Sequence, residues 1–155
     1  MGERKENDME NNKLNKLNKL NNINYYETNE NDFEHIKEIY ASENWRAYLQ
    51  DDEKLKRAFT NSLFSYGAYE NNKLIGFVRC VGDGEHIIIV QDLIVHHDYQ
   101  KLGIGTQLFQ YVLDKYKDVR MFLVITDLYD EVDNKFYQKN GLAKIEQREM
   151  VAYVR

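Results

Sequence analysis

The chain has 155 residues, and its 21 lysines and arginines against 26 aspartates and glutamates give a formal charge of −5 at neutral pH. This length suits one domain with its own core, and 43% hydrophobic with 13% aromatic residues exclude a wholly disordered chain. A pI near 5.4 disfavours a dedicated nucleic-acid binder. The single cysteine, Cys80, excludes an intramolecular disulfide and a multi-cysteine zinc site, and we expect it in the core of a strand.

The hydropathy pattern does not indicate a membrane protein. No apolar run reaches the ~18 residues of a membrane helix, and the first residues lack the apolar stretch of a secretory signal. His96 and His97 have no cysteine or carboxylate partners at the spacing of a metal site. We therefore expect a cytoplasmic protein with no membrane, nucleic-acid or metal partner.

The first 21 residues differ in composition from the rest. They contain the repeat NNKLNKLNKLNN, which places leucines three residues apart and not at the 3.6-residue period of a helix. One interpretation is a low-complexity extension over 1–21. Another is an amphipathic arm on a neighbouring subunit, which makes a homodimer a possible assembly. Residues 22–155 have the pattern of one folded domain.

Strands and helices alternate along this domain. The predicted order is a strand at 23–27, helices from Asn31 or Asp32 and from Asp51–Asp52, strands at 63–70, 74–81 and 86–95, a helix at 104–116, a strand at 121–126, a helix at 130–140, and one or two closing strands at 145 and 150–154. Asn71–Asn72 suits a tight hairpin, and Gly141 suits a left-handed helix cap. This order predicts a mixed α/β fold, with helices on both faces of a sheet.

The spacing of apolar residues predicts which side chains are buried. The expected buried faces comprise Phe33, Ile36, Ile39 and Tyr40 on the first helix, and Leu108, Tyr111, Val112 and Tyr116 on the third. The segment 86–95 is largely apolar, as expected of a strand that is buried on both faces.

The segment DLIVHHDYQKLGIGT carries the clearest chemical signal. Gly103 and Gly105 remove side chains at the start of a helix, where free backbone amides and the helix dipole suit phosphate oxygens. By spacing alone a tight turn is an equal interpretation. Leu108 breaks the dinucleotide fingerprint, and the P-loop motif is absent.

Two motifs resemble those of the GNAT superfamily of N-acetyltransferases. QKLGIG at 100–105 is similar to its Q/R-x-x-G-x-G/A motif, and FYQKNG at 136–141 is similar to its F-Y-x-x-x-G segment. The resemblance spans about residues 23–155. It implies a mixed, mainly antiparallel sheet of six to seven strands, splayed between the fourth and fifth, with about four flanking helices. It also implies an acyltransferase (EC 2.3.1) that moves acetyl from acetyl-CoA to a primary amine of a small molecule, in one ternary complex.

The same resemblance implies where acetyl-CoA binds. Backbone amides of Gln100, Lys101, Leu102, Gly103, Ile104, Gly105 and Thr106 would hold the pyrophosphate, and backbone groups of Leu93, Ile94 and Val95 would pair with the pantetheine arm. Many members have an asparagine in place of Asp130 that touches the cofactor, and Asn134 would take over that contact.

The catalytic assignments also come from the resemblance. Tyr137 matches the tyrosine that protonates the leaving thiolate, and the alternative is an aromatic residue of the core. Asp92 would act as a base or as an ammonium anchor, and the alternative is a structural carboxylate. Gln91 stands where some relatives that use small amines have a second acid.

The acceptor pocket of this family lies between the first two helices. Glu43, Trp45 and Tyr48 fall there and would cage a cationic or aromatic amine, with Gln91 beside them. Trp45 also suits a helix-packing role. Other functions remain open: a non-catalytic acyl-CoA-binding or regulatory module, a peptide or protein N-acetyltransferase, or a structural oligomer built through the N-terminal arm.

Overall fold

A computed structural model describes residues 21–155, and the repeat and nearly all of the predicted extension lie outside the described residues. The chain divides into two compact units: the first ends at Leu123 and the second begins at Val124. Each unit is described by itself below.

The sheet has five strands among the described residues. They are β1 (Ile23–Glu27), β2 (Phe64–Glu70), β3 (Lys73–Gly82), β4 (Ile87–Val95) and β5 (Met121–Val124). Their order in space follows the chain, and the first four pair antiparallel. The amides of Arg120 and Met121 donate to the carbonyls of Glu85 and His86, respectively. The partners advance together along both segments, so β5 starts parallel to β4. The sheet is therefore mixed and mainly antiparallel, as predicted.

Four α-helices accompany the sheet: α1 (Phe33–Ser42), α2 (Asp52–Thr60), α3 (Ile104–Lys115) and α4 (Glu131–Lys139). Asp51 and Asp130 cap α2 and α4, where their side chains accept backbone amides. Asp32 stands at the N-cap position of α1, as one of the two predictions had it, but its side chain makes no capping bond to that helix. Asn29 caps the 3-10 turn that leads into the helix. Gly141 follows α4 at φ +90°, as predicted.

The core of the first unit forms where α1 and α2 pack on the sheet. Ile36, Ile39 and Tyr40 of α1 are buried as predicted and join Phe77 and Leu74 of β3 in one cluster. Burial of apolar side chains on one helix face is the main force that holds such a layer in place. Cys80 is also buried, and burial raises the pKa of its thiol to about 12, so it is a core residue as expected.

On α3 the predicted buried face is partly wrong. Leu108 and Val112 are fully buried, but Tyr111 is 40% exposed. Tyr111 lies at the edge of the apolar stripe, and its ring stacks on Tyr66 of β2 with centroids 3.9 Å apart. An amphipathic aromatic residue can cover a neighbouring ring at the surface without entering the core.

Three further details differ from the sequence-based expectations. No strand follows α4 within the described residues: Ile145–Arg148 is a 3-10 turn, and 149–155 has no regular structure, so the predicted count of six to seven strands is wrong. β5 ends at Val124. Along β4, buried residues alternate with partly exposed ones, contrary to burial on both faces. An apolar run cannot distinguish these cases, because alternation of its faces depends on what packs against each one.

The turn between β3 and β4 is organised by Asp83. Its Oδ1 accepts the backbone amides of Glu85, His86 and Ile87 at 2.8–3.0 Å. These bonds lower the pKa of the carboxyl to about 2. The charged carboxylate therefore stabilises the turn that aligns β4 with β3.

We expect Asp83→Asn to lower stability at pH 7 and to flatten the acid limb of the stability curve. Because the folded pKa lies below the unfolded value of ~3.9, the stabilisation is present above pH 4 and disappears as pH falls towards 2. Urea unfolding at pH 7 and pH 3 measures both effects. Glu85→Gln removes a charge from the same turn but none of these bonds, and an equal change in that variant would contradict the assignment.

Candidate active site

The second half of β4 extends past β5. β4 has nine residues and β5 has four, and β5 begins beside His86. At a strand rise of ~3.3 Å per residue, β5 ends near Val90. Among residues 21–155, those after Gln91 therefore have no strand paired with them on that side, and we call this unpaired side of β4 the gap.

The register of β4 shows which backbone groups point into this gap. The amide of His96 donates to the carbonyl of Ile75 in β3 at 2.8 Å. In an antiparallel ladder alternate residues turn their backbone groups to the same neighbour, so Ile94 also faces β3. Leu93 and Val95 point their N–H and C=O groups the other way. Of the three residues predicted to pair with the pantetheine arm, only Leu93 and Val95 therefore direct their backbone groups away from β3.

A β-bulge interrupts β4 at Gln91. Cys80 pairs with Val90 and Arg79 pairs with Asp92, so Gln91 is an extra residue on β4 without a pairing partner on β3. Bulges bend a strand and redirect a side chain, and they are frequent beside active sites. Here the bulge separates the regular start of β4 from the part that lines the gap.

The segment after β4 leads directly into the first turn of α3. Gly103 is the N-cap at φ +84°, and Lys101 is also left-handed at φ +61°. The first helical bond of this turn joins the Gln107 amide to the Gly103 carbonyl, so the preceding amides of the helix have no partner within it. Gln100 donates its side-chain Nε2 to the carbonyl of Val95 at 3.0 Å and ties the loop to the end of β4.

Open space lies in front of this turn. A Cβ at Gly103 would have no atom within 4 Å, and one at Gly105 would only touch Val95 Cγ2 at 3.8 Å. Unpaired amides at a helix start suit phosphate oxygens, and an exposed strand edge suits an extended amide chain. The residues present therefore fit a ligand that carries a pyrophosphate and a pantetheine-like arm.

An aromatic surface lies next to the bulge. Tyr40 stacks on Tyr48 with ring centroids 4.4 Å apart and planes within 3°, and Trp45 lies 6.2 Å from Tyr48. The Gln91 amide donates to the Tyr48 hydroxyl at 3.2 Å. We call the surface formed by Trp45, Tyr48 and Gln91 the aromatic wall. Its members were predicted as acceptor residues, and the structure brings them together.

Asp92 is buried beneath the aromatic wall and is 1% exposed. Its Oδ2 accepts Arg79 Nε at 2.5 Å and the Tyr40 hydroxyl at 2.9 Å. Its Oδ1 is buried without a hydrogen-bond partner among residues 21–155. These contacts favour the structural alternative for Asp92.

The charges around Asp92 act on its neighbours. Burial opposes the charge of Arg79, but Asp92 and the nearby phenols keep the pKa of the guanidinium above its usual value. Burial and the Asp92 charge raise the pKa values of Tyr40 and Tyr48. Both phenols therefore stay protonated near neutral pH.

Sequence reasoning placed Tyr40 only in the core and gave Arg79 no role. The available signal was an arginine inside the apolar strand LIGFVRCV, since a buried charge needs a partner.

Glu43 has a different neighbour from the one expected. Its Oε1 lies 3.3 Å from His97 Nδ1, and the His97 amide donates to Ser42 Oγ. The predicted acceptor residue therefore links the end of α1 to the loop after β4. His97 takes part in this link through both its backbone amide and its ring.

The second unit contains Tyr137 and Asn134 on α4. The half-buried Tyr137 packs edge-on against Phe136, and burial, with the Asp133 and Asp130 charges, raises the pKa of its phenol. The Asn134 side-chain amide donates to the carbonyls of Asp127, Leu128 and Asp130, so its donors hold the loop before α4.

The unpaired strand edge followed by a glycine-rich helix start is the arrangement that the resemblance to the GNAT superfamily predicted. The family model described as Acetyltransferase (GNAT) family matches residues 24–142. The chain belongs to the GNAT acetyltransferase family.

Curated relatives carry the same family name. An uncharacterised ycf52-like N-acetyltransferase from Prochlorococcus marinus is 35% identical over 92 residues, which cover 57% of this chain and 51% of the relative. A ycf52 N-acetyltransferase from Pyropia yezoensis is 27% identical over 128 residues, which cover 70% and 72%. The matched region thus spans about half the length of the first relative.

Solved structures agree on the fold. A GNAT-family acetyltransferase from Streptococcus pneumoniae superposes with a TM-score of 0.72 at 28% identity and covers 86% of this chain and 95% of its own. An N-acetyltransferase from Thermoplasma acidophilum, solved with coenzyme A, superposes with a TM-score of 0.58 at 19% identity and covers 77% and 88%. The predicted fold class is confirmed.

Membrane spans and metal clusters are both absent from residues 21–155. In this range no helix is both long enough and apolar enough to span a bilayer. Nor does the same part of the chain contain a group of three or more side chains that could hold a metal ion.

Proposed function

We propose that this protein transfers an acetyl group from acetyl-CoA to a primary amine of a small molecule, by direct attack within one ternary complex. The observation that carries this proposal is the continuity of three features: the free edge of β4, the first turn of α3 and the aromatic wall. Membership of the acetyltransferase family supports the transfer of acetyl in general, and the acceptor is our inference.

In this proposal the amides from Gln100 to Thr106 bind the pyrophosphate, and the outward backbone groups of Leu93 and Val95 pair with the pantetheine arm. Ile94 shapes the strand through its side chain, because its backbone faces β3. The coenzyme A bound in the Thermoplasma neighbour supports an acyl-CoA ligand. That ligand supplies the activated thioester.

The acceptor meets the aromatic wall beside the bulge. Trp45 and Tyr48 offer ring faces that attract an ammonium or stack on a flat molecule, and Gln91 offers an amide. During transfer a nitrogen–carbon bond forms, the carbon–sulfur bond breaks, and the amine loses a proton while the thiolate gains one. Tyr137 remains the proposed donor to the thiolate, and it is protonated near neutral pH.

A second candidate is a non-catalytic acyl-CoA-binding module. The pairing of Asp92 with Arg79 favours it, because it removes the expected free carboxylate from the acceptor side. A peptide or protein acceptor, a cytoplasmic location and a homodimer all stay predictions.

The release of coenzyme A in the presence of amines tests the proposed function. We expect turnover with at least one member of a panel of arylalkylamines, polyamines, aminoglycosides and peptide N-termini. Acetyl-CoA binding by calorimetry without turnover of any member would favour the non-catalytic module. Acetylation of peptides but not of small amines would move the acceptor to the protein class.

We expect Gly105→Asp to weaken acetyl-CoA binding at least tenfold, because it places a negative charge where the pyrophosphate would lie. The variant should fold, since an acidic residue in the first turn of a helix is favourable. Calorimetry measures the affinity, and a thermal scan checks the fold.

Gly105→Ala is the matched control for bulk, because its Cβ makes only the ordinary 3.8 Å contact with Val95. We expect it to bind nearly as well as the wild type. Unchanged affinity in a folded Gly105→Asp protein would remove the pyrophosphate from this turn.

A further inference from the structure

Arg79 is a buried charge within the otherwise apolar segment 74–81 of β3. It is 4% exposed. Its Nε donates to Asp92, its Nη1 donates to Ser62 Oγ at 3.2 Å, and its guanidinium lies 5.1 Å from the ring centroid of Phe59. Partners on β4, on α2 and in the loop after α2 hold it in one orientation, so its position is fixed relative to Asp92.

The contacts continue from Arg79 to the aromatic wall. Asp92 Oδ2 accepts both the guanidinium and the Tyr40 hydroxyl. Tyr40 in turn stacks on Tyr48, and the Tyr48 hydroxyl accepts Gln91. Trp45 donates its backbone amide to the Tyr40 carbonyl at 2.9 Å. Tyr48 and Trp45 are therefore two contacts from the ion pair, and Gln91 is three contacts from it.

We infer that Arg79 is a positioning residue which neutralises Asp92 and, through Tyr40, holds the aromatic wall in place for an acceptor that carries a single amine on an aromatic or apolar body. The inference rests on the proposed function, because it takes the wall to be the acceptor side.

The charge balance favours this class of acceptor. Asp92 would attract cations if it were free, but the adjacent guanidinium cancels its charge. Glu43, the other carboxylate predicted to face the acceptor, is engaged with His97. What remains on the wall is two aromatic faces and one amide. A polyamine would need several unpaired carboxylates, whereas a flat monoamine needs the stacking surface that is present.

Acceptor preference is the first test, with 2-phenylethylamine and spermidine as probes. We expect the wild type to have the higher kcat/KM for 2-phenylethylamine. In Arg79→Met, the aromatic wall should lose its support, so KM for 2-phenylethylamine should rise about tenfold. The uncompensated Asp92 should move the preference towards spermidine, which carries more positive charges. Arg79→Lys keeps the positive charge but lacks the planar guanidinium, so its KM for 2-phenylethylamine should lie between those of the wild type and Arg79→Met. A wild-type preference for spermidine, or an unchanged KM in both variants, would overturn the inference.

Fluorescence of the only tryptophan in the sequence, Trp45, gives a readout that needs no turnover. We expect acrylamide to quench Trp45 more strongly in Arg79→Met than in the wild type. Ile88→Ala, a fully buried position near the start of β4, is the control for a general loss of packing. Each variant is measured at a temperature the same number of degrees below its own Tm. Equal quenching in Arg79→Met and Ile88→Ala under these conditions would overturn the positioning role.

The two proposals fail in different ways. If no amine is acetylated but Trp45 responds only to Arg79→Met, the positioning role stands and the proposed function fails. If amines are acetylated and neither KM nor Trp45 responds to Arg79→Met, the proposed function stands and the positioning role fails. If the fall of kcat at low pH disappears in folded Asp92→Asn, Asp92 is the general base. That result would also overturn the neutralisation of Asp92 by Arg79.

Discussion

Tyr137→Phe should lower kcat on the order of 10²-fold, within the usual range for general acid–base catalysis. The phenol is expected to meet charge only as the thiolate develops, so acetyl-CoA affinity should change little. Since burial, with the Asp133 and Asp130 charges, raises the pKa of Tyr137, the wild type should lose no activity through deprotonation of this residue below pH 10. Steady-state kinetics across pH and calorimetry measure these effects.

The thermal stability of Tyr137→Phe distinguishes a catalytic role of Tyr137 from a role as a core aromatic residue. Phe keeps the ring and its edge-on contact with Phe136, so the Tm should stay close to that of the wild type. Tyr129→Phe removes an exposed hydroxyl from the same unit and serves as the control. Normal turnover at all pH values would remove the proposed role, and normal turnover with a lower Tm would make Tyr137 a core residue.

Asp92→Asn should lower the free energy of unfolding by about 3–5 kcal/mol, because it leaves the Arg79 guanidinium buried without its counter-ion. The Asn amide can still accept the Tyr40 hydroxyl, so the loss reports mainly the charge. Urea unfolding at pH 7 measures it.

Removal of both charges gives the matched control. In Arg79→Met with Asp92→Leu, no buried ion remains unpaired, and stability should recover most of the loss. A folded Asp92→Asn protein as stable as the wild type would show that the pair does not hold this part of the core. Full recovery of stability without recovery of acceptor binding in the double variant would separate the structural role of the pair from its effect on the aromatic wall.

Local patterns predicted most of the elements correctly. Strand β1 has the predicted bounds, Ile23–Glu27. Asp51 and Asp130 cap the helices that follow them, and Asn71–Asn72 adopts the predicted left-handed hairpin at φ +50° and +64°. These features depend on hydrogen bonds and steric limits within a few residues. The sequence could therefore specify them without the rest of the molecule.

The motif proposed to bind the cofactor was also visible in the sequence, because backbone amides at a glycine-rich helix start act through local geometry. The closing strands, by contrast, were predicted from apolar residues at 145 and 150–154, and the described chain has none there. A short apolar segment becomes a strand only if a neighbouring edge accepts its hydrogen bonds. That condition cannot be read from the segment itself.

By itself, then, the sequence determined the family, the order of the elements up to α4, and the residues proposed for the anion-binding turn and the acceptor region. Only the tertiary structure decided that Leu93 and Val95 face the gap, that Gln91 is a bulge, and that Asp92 is paired with Arg79. The first two depend on strand register, which is set by pairing between segments far apart in the chain. The third depends on two residues, 13 positions apart in the chain, that meet across β3 and β4, where burial makes the partner of a charge decide what that charge can do.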